Sequence, residues 1–130
     1  MKVSRSTSYA IMALGYFARH SDEGLILSND ISDKYNIPLD YLLKILLQLV
    51  KAKILHSKRG PGGGFSLARS LKKVSMLEVI EAVEGPIVSN LKITVLAPRE
   101  KFGAKAEAVF VKALVQAKKV FAETKMGDIF

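Results

Sequence analysis

The sequence predicts a mainly α fold in which three helices lead into a two-stranded β hairpin and a long amphipathic helix closes the chain. Three observations carry that prediction. Residues 28–52 read as two helices joined by the three-residue turn Asn36-Ile37-Pro38. The next segment alternates weakly around Arg59-Gly60-Pro61-Gly62-Gly63-Gly64, as a hairpin with a long glycine tip does. Towards the end, Phe110, Leu114, Ala117 and Phe121 recur at i, i+4, i+7 and i+11, one face of a helix.

Composition sets the outer bounds. A chain of 130 residues with 49% hydrophobic and 25% charged residues suits one compact domain and excludes a disordered polymer. Twenty Lys and Arg against 12 Asp and Glu leave a net charge of +8, which suits a polyanionic partner, although ribosome-binding and membrane-surface proteins share that excess. The absence of cysteine excludes disulfides, cysteine-ligated zinc or iron–sulfur sites and a cysteine nucleophile, and a cytoplasmic location is expected. Lys2 and Arg5 precede an apolar run from Tyr9 to Ala18 that loosely resembles a secretory signal. The run is too short to span a bilayer and lacks an Ala-x-Ala site, so a buried first helix is expected.

The elements follow in order. Ser6 is the expected N-cap of a first helix to about His20, with Tyr9, Leu14 and Phe17 inward. A second, short helix runs from Ser28 to Tyr35 with Ile31 inward, and the residue before Pro38 avoids helical geometry and ends it. Pro38 suits the first turn of a third helix, 38–52. In that helix Leu39, Leu42, Leu46, Leu49 and Val50 share an apolar side, opposite Asp40, Tyr41, Lys44, Gln48 and Lys51. A hairpin directly after a helix-turn-helix is a wing, here 57–66, so the expected fold is a winged helix-turn-helix. Charge segregation agrees: between Tyr41 and Leu77 there is no acid, but there are Lys44, Lys51, Lys53, Lys58, Arg59, Arg69, Lys72 and Lys73.

Ser75, with Glu78 three residues on, predicts a capping box opening a helix to Val83, which Gly85-Pro86 stops. Residues 87–102 are ambiguous, Ile93 to Leu96 fitting a strand or a short helix. The last helix is expected from Ala104 to Thr124, with Phe110, Val111, Leu114, Ala117 and Phe121 as a stripe that fits either its own domain or a dimer seam. The expected division is 1–86, a winged helix-turn-helix unit suited to DNA, and 87–130, a connecting segment and a last helix that is a dimerisation helix in the second of those two readings.

Three stretches carry a resemblance. Tyr9-Ala10, residues 37–42 and above all Arg59-Gly60-Pro61-Gly62-Gly63-Gly64-Phe65-Ser66-Leu67 resemble the Rrf2 family of bacterial winged-helix transcription regulators, and Glu78 to Gly85 is similar to its helix after the wing. The likeness covers residues 1 to about 86. It implies a homodimer, in sense a repressor, on a partly palindromic operator, with the third helix in the major groove and the wing in the minor groove.

The residues supply physical roles for that reading. Arg59 suits a narrow A·T minor groove, and Gly60, Gly62, Gly63 and Gly64 let the backbone approach the groove floor. Asp40, Tyr41 and Lys44 lie where base edges are read, with Pro38 at the helix start. Ser28, Asn29, Gln48, Lys51 and Lys58 suit phosphates. Tyr41 fits equally a packing role against the second helix, and Asp40 fits the helix dipole better than a base.

Two departures limit the transfer. Leu43 stands where the family's iron–sulfur regulator has a base-reading glutamate, so the known operator does not carry over. Cluster-binding members have three cysteines after the post-wing helix, whereas residues 86–98 here contain neither Cys nor His, so no cofactor and no metal are expected.

Rival chemistries fit less well. The glycine run lacks the completion of a dinucleotide fingerprint or a P-loop. His20 and His56 have no triad-like neighbours, and Glu78, Glu81 and Glu84 at i, i+3, i+6 read as a solvated face, so an enzyme is not expected. The alternatives are a sequence-tolerant nucleic-acid-binding or assembly protein on the same fold, and a small-molecule or protein effector held by residues 87–102.

Overall fold

The computed structural model describes residues 3–130 and orders six helices and one antiparallel hairpin. Helix α1, Arg5–Arg19, has its N-cap at Ser4, two residues before the expected one. Ser4 is extended, and its Oγ accepts from the Ser6 amide at 3.1 Å, so Ser4 rather than Ser6 satisfies the first-turn donors. Helix α2 is Ser28–Tyr35, and Asn36 in the left-handed region (φ 54°) turns the chain. Helix α3 is Leu39–Lys51, with Pro38 at its N-cap rather than inside its first turn.

The core forms where these helices meet. Ala10, Leu14 and Phe17 of α1, Ile31 of α2, and Leu42, Ile45, Leu46 and Leu49 of α3 are buried together. Each such leucine contributes roughly 1.5–3 kcal/mol of transfer free energy. Leu39, expected inward, is 36% exposed because the covered ridge begins at Leu42. Tyr9 is half-buried.

Strands β1, Leu55–Lys58, and β2, Gly64–Leu67, pair antiparallel with Lys58 opposite Gly64. The hairpin is also held from behind. Ile26 and Phe65 exchange both backbone hydrogen bonds at 2.8 Å, so β2 is paired on either side at that point. Gly64 is required there: a Cβ would meet the Ile26 carbonyl oxygen at 2.8 Å.

Helix α4, Met76–Glu84, opens on the predicted capping box. The Glu78 amide donates to Ser75 Oγ at 3.1 Å, and the Ser75 amide donates to Glu78 Oε2 at 2.9 Å. A single helical turn, α5, spans Ile93–Leu96, and α6 spans Phe102–Glu123, beginning before the expected Ala104. After α6 the chain hooks back. The Met76 amide donates to the Thr124 carbonyl and the Met126 amide to the Val74 carbonyl, both at 2.8 Å, which seats the Met126 side chain in the core. No helix of the described residues is long and apolar enough to cross a membrane.

Candidate nucleic-acid interface

The outer face of α3 is polar and open. Asp40, Tyr41, Lys44 and Lys51 are exposed, and Gln48 is half-buried. Pro38 and Asn29 are also exposed, and Ser28 is half-buried. Leu43 leans inward onto the core. Among the described residues no carboxylate pairs with Lys44, Lys51, Lys58 or Arg59. Arg69 behaves differently. Its Nη2 donates to Glu78 Oε1 at 2.7 Å and its Nε to the Lys53 carbonyl at 3.3 Å, so this member of the acid-free run serves the fold.

The wing tip needs its glycines for two reasons. Gly60 and Gly62 adopt φ of 83° and 72°, values that other residues reach only at a cost. At Gly63 a Cβ would lie 2.2 Å from the Lys58 carbonyl oxygen, so only hydrogen fits inside the turn closed by the Gly63 amide and Gly60 carbonyl. A cleft of about 440 Å³ separates wing from helices, and its walls bring Ser28, Lys58, Arg59 and the tip glycines together with Leu47. Sequence reading missed Leu47. It is 53% exposed, and its signal was an apolar residue out of phase on the polar side of α3.

Tyr41 is exposed, yet α1 anchors it. Its ring meets Tyr9 of α1 edge-on at 5.4 Å between centroids, and its hydroxyl shares a 2.8 Å hydrogen bond with Ser6 Oγ. The first turn of α1 therefore fixes the rotamer of a residue at the start of α3.

The α4 carboxylates reach solvent, with Glu84 exposed and Glu78 and Glu81 half-buried, yet each also accepts hydrogen bonds from elsewhere in the chain. Besides the Glu78 box, Glu81 Oε2 accepts from the Ile87 amide at 3.1 Å. Glu84 Oε1 accepts from the Ser4 amide at 3.2 Å, from Thr7 Oγ1 at 3.0 Å and from Ser4 Oγ. Each carboxylate thus receives a different incoming segment. Partial burial pushes Glu84 and Glu78 up. The hydrogen bonds from Ser4 and Thr7, and those from Ser75 with the charge of Arg69, outweigh burial and hold both below the ordinary glutamate value.

Helix α6 divides the predicted stripe. Leu114, Ala117 and Phe121 are half-buried, while Phe110 and Val111 stay 51% and 53% exposed. Exposed apolar residues continue on both shoulders, Phe102, Val109 and Val120 on one and Val115 with Val111 on the other. Phe110 and Leu114 also face Ile80 and residues 84–91 across a cleft of about 590 Å³.

Comparison with known proteins fixes the family. The profile of the Rrf2 family, described as an iron-dependent transcriptional regulator, matches residues 3–129. The chain belongs to the Rrf2 family. Its members are transcriptional regulators, not enzymes. The chain is similar to the HTH-type transcriptional regulator IscR of Xenorhabdus nematophila, 38% identical over 84 residues, which is 65% of this chain and 51% of that protein. IscR of Cereibacter sphaeroides is 36% identical over 86 residues, 65% of this chain and 56% of that protein. The chain spans about half the length of the curated relatives it matches. Two solved structures share the fold over 99% of this chain at 24% identity. They are CymR, the global cysteine regulator of B. subtilis (TM-score 0.77, 95% of that chain), and T. potens IscR (TM-score 0.73, 85% of that chain).

The donor set of this Rrf2 member does not fit an iron–sulfur cluster. The chain has no cysteine, and between Pro86 and Phe102 the only charged oxygen donor is Glu100. Among the described residues no three His, Asp or Glu gather as a metal site.

Proposed function

We propose that this Rrf2 member is a homodimeric, sequence-specific DNA-binding regulator of the bacterial cytoplasm, acting as a repressor without a cysteine-ligated cluster. In this reading α3 enters the major groove and the wing enters the minor groove of a partly palindromic operator. The single observation that carries it is the run from Tyr41 of α3 through the wing, which contains no acidic residue and on which Lys44, Lys51, Lys58 and Arg59 have no ionic partner among the described residues, while Arg69 pairs with Glu78.

Roles follow from chemistry. Arg59 beside the glycine tip suits the enhanced negative potential of a narrow minor groove. Lys44 and Leu47 suit base edges, the leucine as an apolar contact for a thymine methyl. Asp40 complements the dipole of α3. Ser28, Asn29, Gln48, Lys51 and Lys58 suit phosphates, which set register without reading sequence. Residues 1–86 carry the DNA contacts and residues 87–130 the assembly contacts. The seam lies on the α6 shoulder where Phe102, Val109, Ala113 and Val120 recur at i, i+7, i+11 and i+18, next to Phe110.

Fluorescence anisotropy with the protein's own upstream DNA against scrambled DNA, at several salt concentrations, tests the reading. A preference of about a thousandfold with a steep salt slope is expected. Equal, salt-sensitive binding to both would replace it with a sequence-tolerant nucleic-acid-binding role.

A further inference from the structure

We propose that Glu84 is a positioning residue for DNA recognition, holding the first turn of α1 and, through Ser6, the Tyr41 hydroxyl at the start of α3. The inference rests on the operator-binding reading above and adds a residue that lies outside the DNA-facing surface.

The path is short and each step is a hydrogen bond. Helix α1 has no acidic residue in its own first turn. Glu84, 80 residues away in sequence, stands there instead and accepts from the Ser4 amide and hydroxyl and from Thr7 Oγ1. A carboxylate at a helix N-terminus satisfies free amides and meets the positive end of the dipole. Thr7 is 2% exposed, so a lost acceptor would leave its hydroxyl buried without this partner. Ser4 Oγ in turn accepts the Ser6 amide, and Ser6 Oγ meets Tyr41 OH at 2.8 Å. Tyr9, on the same first turns of α1, buttresses the Tyr41 ring.

The other end of the path is the start of the connecting segment. Glu84 immediately precedes Gly85, whose φ is 85°, and it lines the cleft shared by residues 85–91 with Phe110 and Leu114 of α6. One helical turn earlier, Glu81 holds the Ile87 amide. A displacement of that segment or of α6 therefore pulls on the group that seats α1 against α3. In a chain without cluster ligands, this gives the C-terminal unit a mechanical route to the recognition helix.

The test measures anisotropy with the upstream and scrambled fragments for Glu84→Ala, Glu84→Gln, Ser6→Ala and the Glu84→Ala/Ser6→Ala double variant. Tyr41 ring resonances are followed by NMR in the same proteins without DNA. Glu84→Ala should weaken upstream binding about tenfold with the salt slope unchanged, because the phosphate contacts remain. Glu84→Gln, which keeps an acceptor oxygen, should recover part of the loss. The double variant should be no worse than the worse single one, since both act on one path. Losses that multiply, or an unchanged Glu84→Ala, overturn the proposal. Wild-type protein that does not prefer its upstream fragment overturns the operator reading instead. The Tyr41 resonances then decide the coupling alone: displaced by Glu84→Ala they uphold it, unmoved they overturn it.

Discussion

Helices α3 and α6 are both amphipathic, yet their own chain treats them in opposite ways. In α3 the apolar ridge Leu42, Ile45, Leu46 and Leu49 is wholly covered, and the polar side with Lys44 and Lys51 faces outward. In α6, of the described residues only Gly103 is buried, and Val109, Val111, Val115 and Val120 remain more than half exposed. A helix with a satisfied apolar face offers its polar face for recognition. A helix with uncovered apolar shoulders offers those shoulders to another protein surface. The same local pattern therefore supports different functions, and the packing around it decides which.

The largest effect that separates the two helices is on stability. Leu46→Ala empties a fully buried site and should cost about 2–5 kcal/mol in denaturant unfolding. Val109→Ala, at a position 65% exposed, should cost under about 0.5 kcal/mol at concentrations too low for association. Comparable losses would show that the α6 shoulder is covered within one chain, and the comparison would break. Assembly gives the converse. Val109→Glu should weaken self-association at least tenfold, roughly 1.4 kcal/mol, in sedimentation while leaving the fold intact. Undiminished assembly would move the seam to the Val111 and Val115 shoulder.

The wing sharpens the α3 side of the comparison. Gly63→Ala would drive a Cβ into the Lys58 carbonyl and remodel the tip, none of whose residues 59–63 belongs to the buried core. Upstream DNA affinity should fall about tenfold by anisotropy with the melting temperature nearly unchanged. A large loss of melting temperature would make the tip part of the fold's own support rather than a contacting element.

How much of this was legible depended on sequence distance. The Ser75–Glu78 box, the turn at 36–38 and the hairpin are written in residues at most twelve apart, where cap and turn chemistry act directly. The polar strip of α3 was legible from periodicity. What failed was tertiary. The i, i+3, i+6 spacing of Glu78, Glu81 and Glu84 is what a solvated face shows, and nothing local announces that Ser4 and Thr7 arrive at Glu84 from 80 and 77 residues away. The Ile26–Phe65 pairing and the Met126 hook were invisible for the same reason. In the stripe on α6, periodicity found an apolar face but not which part its own chain covers. Leu47 escaped because an apolar residue on a polar side reads as noise until the wing is seen beside it.

The smallest expected effect concerns pH and isolates the charge on Glu84. Its folded pKa lies below the ordinary value of 4.5, so the unfolded chain binds that proton more readily than the folded one. The carboxylate therefore contributes stability that is fully present above the unfolded value and is lost as the pH falls through the folded one. Wild-type protein should exceed Glu84→Gln in stability by a constant margin at neutral pH, and the margin should shrink in acid below about pH 4.5. Glu84 is largely exposed, so solvent screens it and the margin is small. Urea unfolding of both proteins across the acid range measures it, and Glu78 titrates in both, so its contribution cancels in the difference. A margin that widened in acid would mean that the protonated carboxyl is the better partner. The Ser4 or Thr7 hydroxyl would then accept from the protonated carboxyl, and the anionic cap on α1 would be ruled out.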